Sequence, residues 1–199
     1  MNNNLPDNDP VSRMATKKKA SPFFQDSGRI PPQAVDFEEA VLGALMLEKN
    51  AVNDVIDVLS PESFYKDQHQ KIYAVIHSLF GNSQPIDILT VTQELRNRGE
   101  LEYVGGAYYI SQLTNRIASA ANVEHHARII AQKFIQRELI RISSDTIKLA
   151  YDETTDVFDL LDKAESSLFQ VAEGNLSRSY EKIDKVMQHA IEEIENAQD

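Results

Sequence analysis

Apolar positions recur three and four residues apart along most of the chain, which is the period of an amphipathic helix. In the first half, signals that begin helices stand at Asp36, Ser60 and Asp87, and Gly81 and Gly99 stand where helices should end. No segment shows the strict two-residue alternation that is typical of a half-buried strand. The pattern therefore predicts an all-α fold.

The second half of the chain predicts one long helix, a short polar turn and a second helix. The first helix should run from about Val123 to Tyr151, roughly 28 residues against a usual mean of 11–12. Apolar residues step by four and three in both helices, so two heptad seams joined by a short turn predict an antiparallel helical hairpin. The predicted seam consists of Ile135, Leu139, Ile142, Leu149, Val157, Leu161, Ala164, Leu168 and Val171.

Four large apolar residues of the hairpin fall off that seam. They are Ile140, Ile147, Phe158 and Phe169. A two-helix hairpin has no further side on which to bury them, so we predict that they form a dimer surface with a second copy of the hairpin. The alternative is that they pack on the helical head that precedes the hairpin.

These elements divide the chain into five segments. Residues 1–33 are predicted to be a disordered arm, 34–122 a globular helical head, 123–173 the hairpin, 174–179 a flexible link and 180–199 a separate linker helix. The linker helix has an apolar stripe with no evident place to pack in this chain, so we predict that the stripe docks on another molecule. The stripe consists of Ile183, Met187, Ile191 and Ile194.

The charge of the chain argues against strong direct binding of DNA. Residues 1–33 carry five basic and three acidic side chains, so the net charge of −11 leaves −13 on residues 34–199. A body this acidic repels phosphates, although the lysines at 17–19 could touch nucleic acid. There is no cysteine, which excludes disulfides and thiolate metal sites and fits a cytoplasmic protein, and no apolar run reaches the length of a membrane span.

The residues that could carry chemistry do not form a recognisable active site. Gly105 and Gly106 lack the Lys and hydroxyl residue of a phosphate-binding loop, so we interpret them as a structural turn at a helix start. His125 and His126 are adjacent and point about 100° apart on a helix, which does not suit one metal ion, although a metal-dependent hydrolase stays open as an alternative. We predict no catalytic, cofactor-binding or metal-binding residue.

Five stretches of the chain form an ordered set of motifs: IPPQAVDFEEAVLGALML (30–47), SPESFYKDQHQKIYAVI (60–76), PID (85–87), GELEYVGGAYYISQLTNRIASAANVEHHARII (99–130) and, after Arg137, LLDKAESSLFQVAE (160–173). This set resembles the N-terminal domain of the bacterial replicative DNA helicase, the DnaB family. Each motif alone is weak, and their order is what makes the resemblance specific. An unrelated helical adaptor is the competing interpretation.

The resemblance implies a scaffold and not an enzyme. It implies dimers that assemble as a three-fold collar on a six-subunit ring, bind the C-terminal domain of primase and contribute to contacts with a helicase loader. In that family the linker helix packs on the motor domain of a neighbouring subunit. The motor domain is RecA-like, uses ATP and Mg²⁺ to move on single-stranded DNA, and follows the linker, whereas this chain stops at Asp199.

Overall fold

Every regular element of the described residues is helical. The structure is a computed structural model that describes residues 29–115 and 121–173. The helices are α1 (Val35–Leu47), α2 (Ala51–Val55), α3 (Asp67–Gly81), α4 (Ile88–Asn97), α5 (Gly106–Asn115), α6 (Val123–Ala150) and α7 (157–173), with a 3₁₀ turn at Pro61–Ser63. The predicted all-α class is confirmed.

All of these helices belong to one compact unit that begins at Pro31. The predicted flexible link and linker helix, including Ile183, Met187, Ile191 and Ile194, lie outside the described residues, as does most of the predicted arm. None of the described helices combines the length and apolar character needed to cross a membrane.

Helix α1 forms the centre of the head. It packs against α3, α5 and α6, which explains why its sequence is apolar on nearly all sides. All five apolar side chains between residues 41 and 46 are buried, with a glycine among them: Val41, Leu42, Ala44, Leu45 and Met46. Burying a side chain such as Leu42 contributes about 1.5–3 kcal/mol, so α1 supplies much of the stability of the head.

The starts of the helices follow the sequence signals closely at α4 and less closely at α1. Asp87 Oδ1 accepts hydrogen bonds from the backbone N–H groups of Leu89 and Thr90, both at 2.9 Å, and the Asp87 N–H donates to Thr90 Oγ1 at 2.9 Å. This is the expected capping arrangement. Helix α1, in contrast, begins after Ala34, so Asp36 lies in its first turn and is not the capping residue.

Two glycines shape the start of α5. Gly105 and Gly106 have φ values of +103° and +73°, a region that side chains with a Cβ rarely adopt. A Cβ added to Gly105 would lie 3.0 Å from the Cβ of Tyr109. The turn therefore lets α5 begin close to the preceding backbone and brings Tyr109 against the core, while the neighbouring Tyr108 is exposed.

Replacing Gly105 with alanine is expected to destabilise the head by about 1–3 kcal/mol, because the new Cβ forces both a strained φ and a close contact with Tyr109. Gly81→Ala is the matched control, since Gly81 has no positive φ and nothing within 4 Å of an added Cβ. It should be neutral or slightly stabilising. Urea unfolding of the two variants measures the difference, and equal midpoints would show that Gly105 does not carry this constraint.

The hairpin consists of α6, a turn at residues 151–156 and α7. Asp156 Oδ1 accepts hydrogen bonds from the N–H groups of Phe158 at 2.8 Å and Asp159 at 3.3 Å, which satisfies free donors at the start of α7. In the turn, Asp152 Oδ1 accepts from the Thr154 hydroxyl at 2.7 Å and from the Thr154 N–H at 2.9 Å. The hydroxyl first, and then the N–H, stabilise the charged carboxylate, so the pKa of Asp152 is lowered. The turn is therefore held by its own side chains.

The packing inside the hairpin differs in phase from the predicted seam. Ile142, Leu149, Ala164 and Val171 are buried or partly buried, whereas Leu139, Val157, Leu161 and Leu168 are exposed, and Ile135 is partly buried. Helix α7 turns a different stripe towards α6. This stripe consists of Leu160, Ala164, Ser167 and Val171. At 100° per residue, α7 is rotated by roughly 50° from the predicted orientation, which moves three of the seam residues onto an exposed side.

Candidate protein-interaction site

More than half of the exposed large hydrophobic side chains among the described residues lie on the hairpin. We define the outer hairpin face as Leu139, Ile140, Ile147, Tyr151, Val157, Phe158, Leu161, Leu168 and Phe169, all of which are exposed. A group of neighbouring exposed hydrophobic side chains is typical of a site that contacts another protein.

The helical period places both halves of this face on the same side of the hairpin. On each helix the centre of the outer stripe lies roughly 100–140° from the centre of the inner stripe, counted in the direction of increasing residue number at 100° per residue. The two helices are antiparallel, so equal rotations in that direction bring the two outer stripes to the same side. The opposite side carries a groove whose lining includes Arg141, Asp145, Lys148 and Lys163. The hairpin is thus apolar on one side and charged on the other.

All four residues of the predicted dimer surface lie on the outer hairpin face. The exposed fractions are 37% for Ile140, 41% for Ile147, 74% for Phe158 and 62% for Phe169. None of the four is buried against the head in the single chain, and the dimer surface stays a prediction. The heptad pattern does not identify the other five residues as surface residues. Four of them fit the predicted seam, and Tyr151 stands at the predicted end of the helix.

A network of buried polar groups holds the head together. The Nδ1–H of His69 donates to Glu38 Oε2 at 2.7 Å, and the other carboxylate oxygen, Oε1, accepts from the Tyr65 N–H at 2.7 Å. His69 Nε2 is hydrogen-bonded to the Tyr109 hydroxyl at 2.7 Å, and that hydroxyl donates to Glu39 Oε1 at 3.3 Å. The side chains of Glu38 and His69 are at most 1% exposed.

This network is suited to structure and not to catalysis. The described residues contain no buried side-chain nitrogen or oxygen atom that lacks a hydrogen-bond partner. A reaction would need a group left accessible to a substrate, and Glu38 and His69 are sealed from solvent. The single signal in the sequence is a glutamate at the start of an otherwise apolar helix, which does not identify its partner 31 residues away.

The adjacent histidines of α6 do not converge on a common point. The ring centroids of His125 and His126 lie 6.4 Å apart, and His126 packs edge-on against Phe37 with centroids 5.1 Å apart. Burial, and then the neighbouring His125, lower the pKa of His126 because both disfavour the charged ring. Within residues 29–115 and 121–173 no group of three or more His, Asp or Glu side chains is placed to hold a metal ion.

Arg137 connects α6 to the head. Its guanidinium donates to the backbone carbonyl of Pro32 at 3.0 Å and to that of Ser63 at 2.7 Å, and its Cζ atom lies 5.7 Å from the ring centroids of both Tyr65 and Phe134. Burial lowers the pKa of Arg137, and the charge of Glu38 opposes that effect. An arginine side chain stays charged in either case. This cation therefore fixes the long helix at a defined place on the head.

Known proteins resemble the chain in both sequence and structure. Residues 30–132 match the family model described as DnaB-like helicase N terminal domain. Replicative DNA helicase DnaB of Rhodothermus marinus is 42% identical over 180 residues, which cover 90% of this chain and 19% of that protein. Replicative DNA helicase DnaC of Bacillus subtilis is 38% identical over 167 residues, which cover 84% of this chain and 37% of that protein. The chain thus spans well under half the length of these curated relatives.

Two solved structures resemble the chain, one in both sequence and fold and the other in fold. The crystal structure of the N-terminal domain of DnaB helicase from Mycobacterium tuberculosis matches with a TM-score of 0.67 and 36% identity, over 71% of this chain and 99% of that one. A DnaB-like replicative helicase, solved in a study of its interactions with primase, matches with a TM-score of 0.58 and 24% identity, over 76% of this chain and 35% of that one, and supports the fold alone. The motifs, the helical head with its hairpin and these matches agree, and the chain belongs to the DnaB-like helicase N-terminal domain family.

Proposed function

We propose that this chain is a self-associating scaffold of a replicative DNA helicase and that it pairs through the outer hairpin face. The observation that carries the proposal is the exposure of nine large hydrophobic side chains on one side of the hairpin. Covering such a face removes apolar surface from water, which favours association by about 25 cal/mol for each Å² buried. A second copy of the hairpin is the simplest partner, because a two-fold axis brings the same face of both copies together.

The same scaffold is proposed to bind the C-terminal domain of primase. Support comes from the solved DnaB-like replicative helicase, which was studied together with its interactions with primase. The acidic character of the chain, with −13 on residues 34–199, disfavours a direct role in holding DNA and leaves protein contacts as its main task. Contacts with a helicase loader, and docking of residues 180–199 on the motor domain of a neighbouring subunit, belong to the same proposal.

The activity of the whole protein is a further part of this proposal. The relatives that match are named replicative DNA helicases, and they extend well beyond the length of this chain. We assign ATP hydrolysis, Mg²⁺ binding and movement on DNA to the part of such a protein that is not in this chain. The site of action would be the cytoplasm, where bacterial DNA is replicated.

A calorimetric titration tests the primase contact. The C-terminal domain of primase from the same organism is titrated into this chain, with the same domain titrated into buffer as the control. Saturable heat with a defined stoichiometry is the expected result. If neither this chain nor the full-length parent produces saturable heat, the proposed primase contact is wrong. Binding by the parent alone would place the site in the complete ring.

A further inference from the structure

Arg137 lies at the point where α6 leaves the head. The first part of α6 is packed into the head, with Val123, Ala127 and Ile130 buried. Beyond Arg137, residues Leu139 and Ile140 are exposed. The side chain of Arg137 is thus at the base of the part of the hairpin that projects from the head.

The two carbonyl groups that Arg137 binds come from separate parts of the head. Pro32 lies 105 residues before Arg137 in the chain, directly ahead of α1, and Ser63 lies 74 residues before it, at the end of the 3₁₀ turn. A guanidinium has several donors in a rigid plane, so it can bind two carbonyls and contact aromatic rings at once. Three segments of the chain therefore meet on one side chain.

The 63–65 segment that receives Arg137 is itself held firmly by the head. The Tyr65 N–H donates to Glu38 Oε1 at 2.7 Å, and the carbonyl of Phe64 accepts from Gln70 Nε2 at 2.8 Å. The Phe64 side chain is fully buried, and its ring centroid lies 4.8 Å from that of Tyr73. Arg137 is consequently attached to a rigid part of the head and not to a loose loop.

We propose that Arg137 is a positioning residue that sets the angle between the head and the projecting part of the hairpin. Thirteen residues separate Arg137 from Ala150, the last residue of α6, and at 1.5 Å per residue they form a lever of about 20 Å. A rotation of about 15° at Arg137 therefore moves the tip of the hairpin by about 5 Å. The outer hairpin face lies along this lever, so the angle also determines where the heads lie when two hairpins pair. This last consequence rests on the proposed self-association, whereas the angle itself does not.

The angle can be measured by the distance between two spin labels. The chain contains no cysteine, so Asn82→Cys on the head and Glu153→Cys in the hairpin turn, both exposed positions, would carry the only labels. Labelled chains are diluted with an excess of unlabelled chains, so that each distance is measured within one copy. The distance distribution is then recorded by pulsed electron paramagnetic resonance for the parent sequence and for variants of Arg137.

We expect one narrow distance in the parent and a distribution that broadens or shifts in Arg137→Ala, by about 5 Å for each ~15° of rotation along the lever given above. Arg137→Lys should give an intermediate result, since an ammonium cannot hold the two carbonyls and the rings in the same geometry. If Arg137→Ala does not fold, Arg137→Lys decides the question. The matched control is Arg141→Ala, which removes an exposed arginine one turn further along α6 that pairs with Glu138 and Asp145.

The proposal is wrong if the folded Arg137 variants give the parent distribution, or if Arg141→Ala alters it as much as Arg137→Ala does. The molecular mass of the same samples reports self-association separately. A single chain with a narrow distance that depends on Arg137 would support the positioning role and contradict the proposed pairing. A chain that self-associates but whose label distance does not depend on Arg137 would support the proposed pairing and contradict the positioning role.

Discussion

Replacing Glu38 with alanine is expected to destabilise the head by about 3–5 kcal/mol, a large part of the 5–15 kcal/mol that holds a typical domain folded. The substitution removes the acceptor for both the His69 ring and the Tyr65 N–H, each at 2.7 Å. The His69 ring cannot turn to water because it is fully buried, and the Tyr65 N–H loses the buried carboxylate that accepts its hydrogen bond. A donor that is left buried without a partner destabilises the folded state by the full free energy of its desolvation.

Urea unfolding followed by circular dichroism measures this loss. Glu62→Ala is the matched control, because Glu62 is an exposed carboxylate in the adjacent 3₁₀ turn, and it should change the free energy of unfolding by less than about 0.5 kcal/mol. A loss in Glu38→Ala that does not exceed the loss in the control would contradict the role of the network. Such a result would mean that apolar packing, and not this network, stabilises the head.

Replacing Phe158 and Phe169 together with aspartate is expected to weaken self-association by at least a factor of roughly one hundred. Aromatic residues at the centre of an interface commonly contribute about 2 kcal/mol or more each, and a loss of about 3 kcal/mol in total corresponds to this factor. Both side chains are more than half exposed in the single chain, so the fold of each copy should survive. The dissociation constant is measured by sedimentation velocity over a dilution series.

The control adds the same two charges to the same helix on another side. Ser166 and Gln170 are exposed, and at 100° per residue they lie more than about 120° from the centre of the outer hairpin face. Ser166→Asp with Gln170→Asp should therefore leave the dissociation constant within a few-fold of the parent. Equal weakening by both pairs would mean that added negative charge, and not loss of the outer hairpin face, drives the effect.

The sequence predicts the helices well because each carries its own local signals. Asp87 with Thr90 at the start of α4 and the positive φ at Gly99 are local features, and a helix start or stop depends on only a few neighbouring residues. The length of α6, from Val123 to Ala150, also follows from an uninterrupted period of apolar residues. The presence of each helix could therefore be predicted from the sequence without knowledge of the tertiary structure.

The rotation of α7 could not be obtained in the same way. Two stripes share Ala164 and Val171: one continues through Leu161 and Leu168, and the other through Leu160 and Ser167. A heptad pattern favours the first because it is more apolar. In the structure the small Ala164 and Ser167 side chains face α6, and the larger residues lie outside, where a second copy could cover them. The period of apolar residues predicts that one face of a helix is buried, but it does not identify the element or the second copy that buries it.

The polar contacts of the head depend on pairings across long stretches of chain. Glu38 and His69 are 31 residues apart, His69 and Tyr109 are 40 apart, and Arg137 reaches Pro32 across 105. No local rule joins such positions. Gly105 and Gly106 could be interpreted as a turn from the sequence alone, because the other residues of a phosphate-binding loop are absent. The close approach of Tyr109 to Gly105, which explains the turn, is visible only in the structure.

Sedimentation equilibrium of the unmodified chain tests whether copies pair through the outer hairpin face. Pairing predicts a mass that rises with concentration from 22.5 kDa to at least twice that value. A three-fold assembly of such pairs would give six times the single-chain mass. A mass that stays at 22.5 kDa up to the highest soluble concentration would contradict the proposed pairing, because the exposed hydrophobic face would then have no partner in another copy.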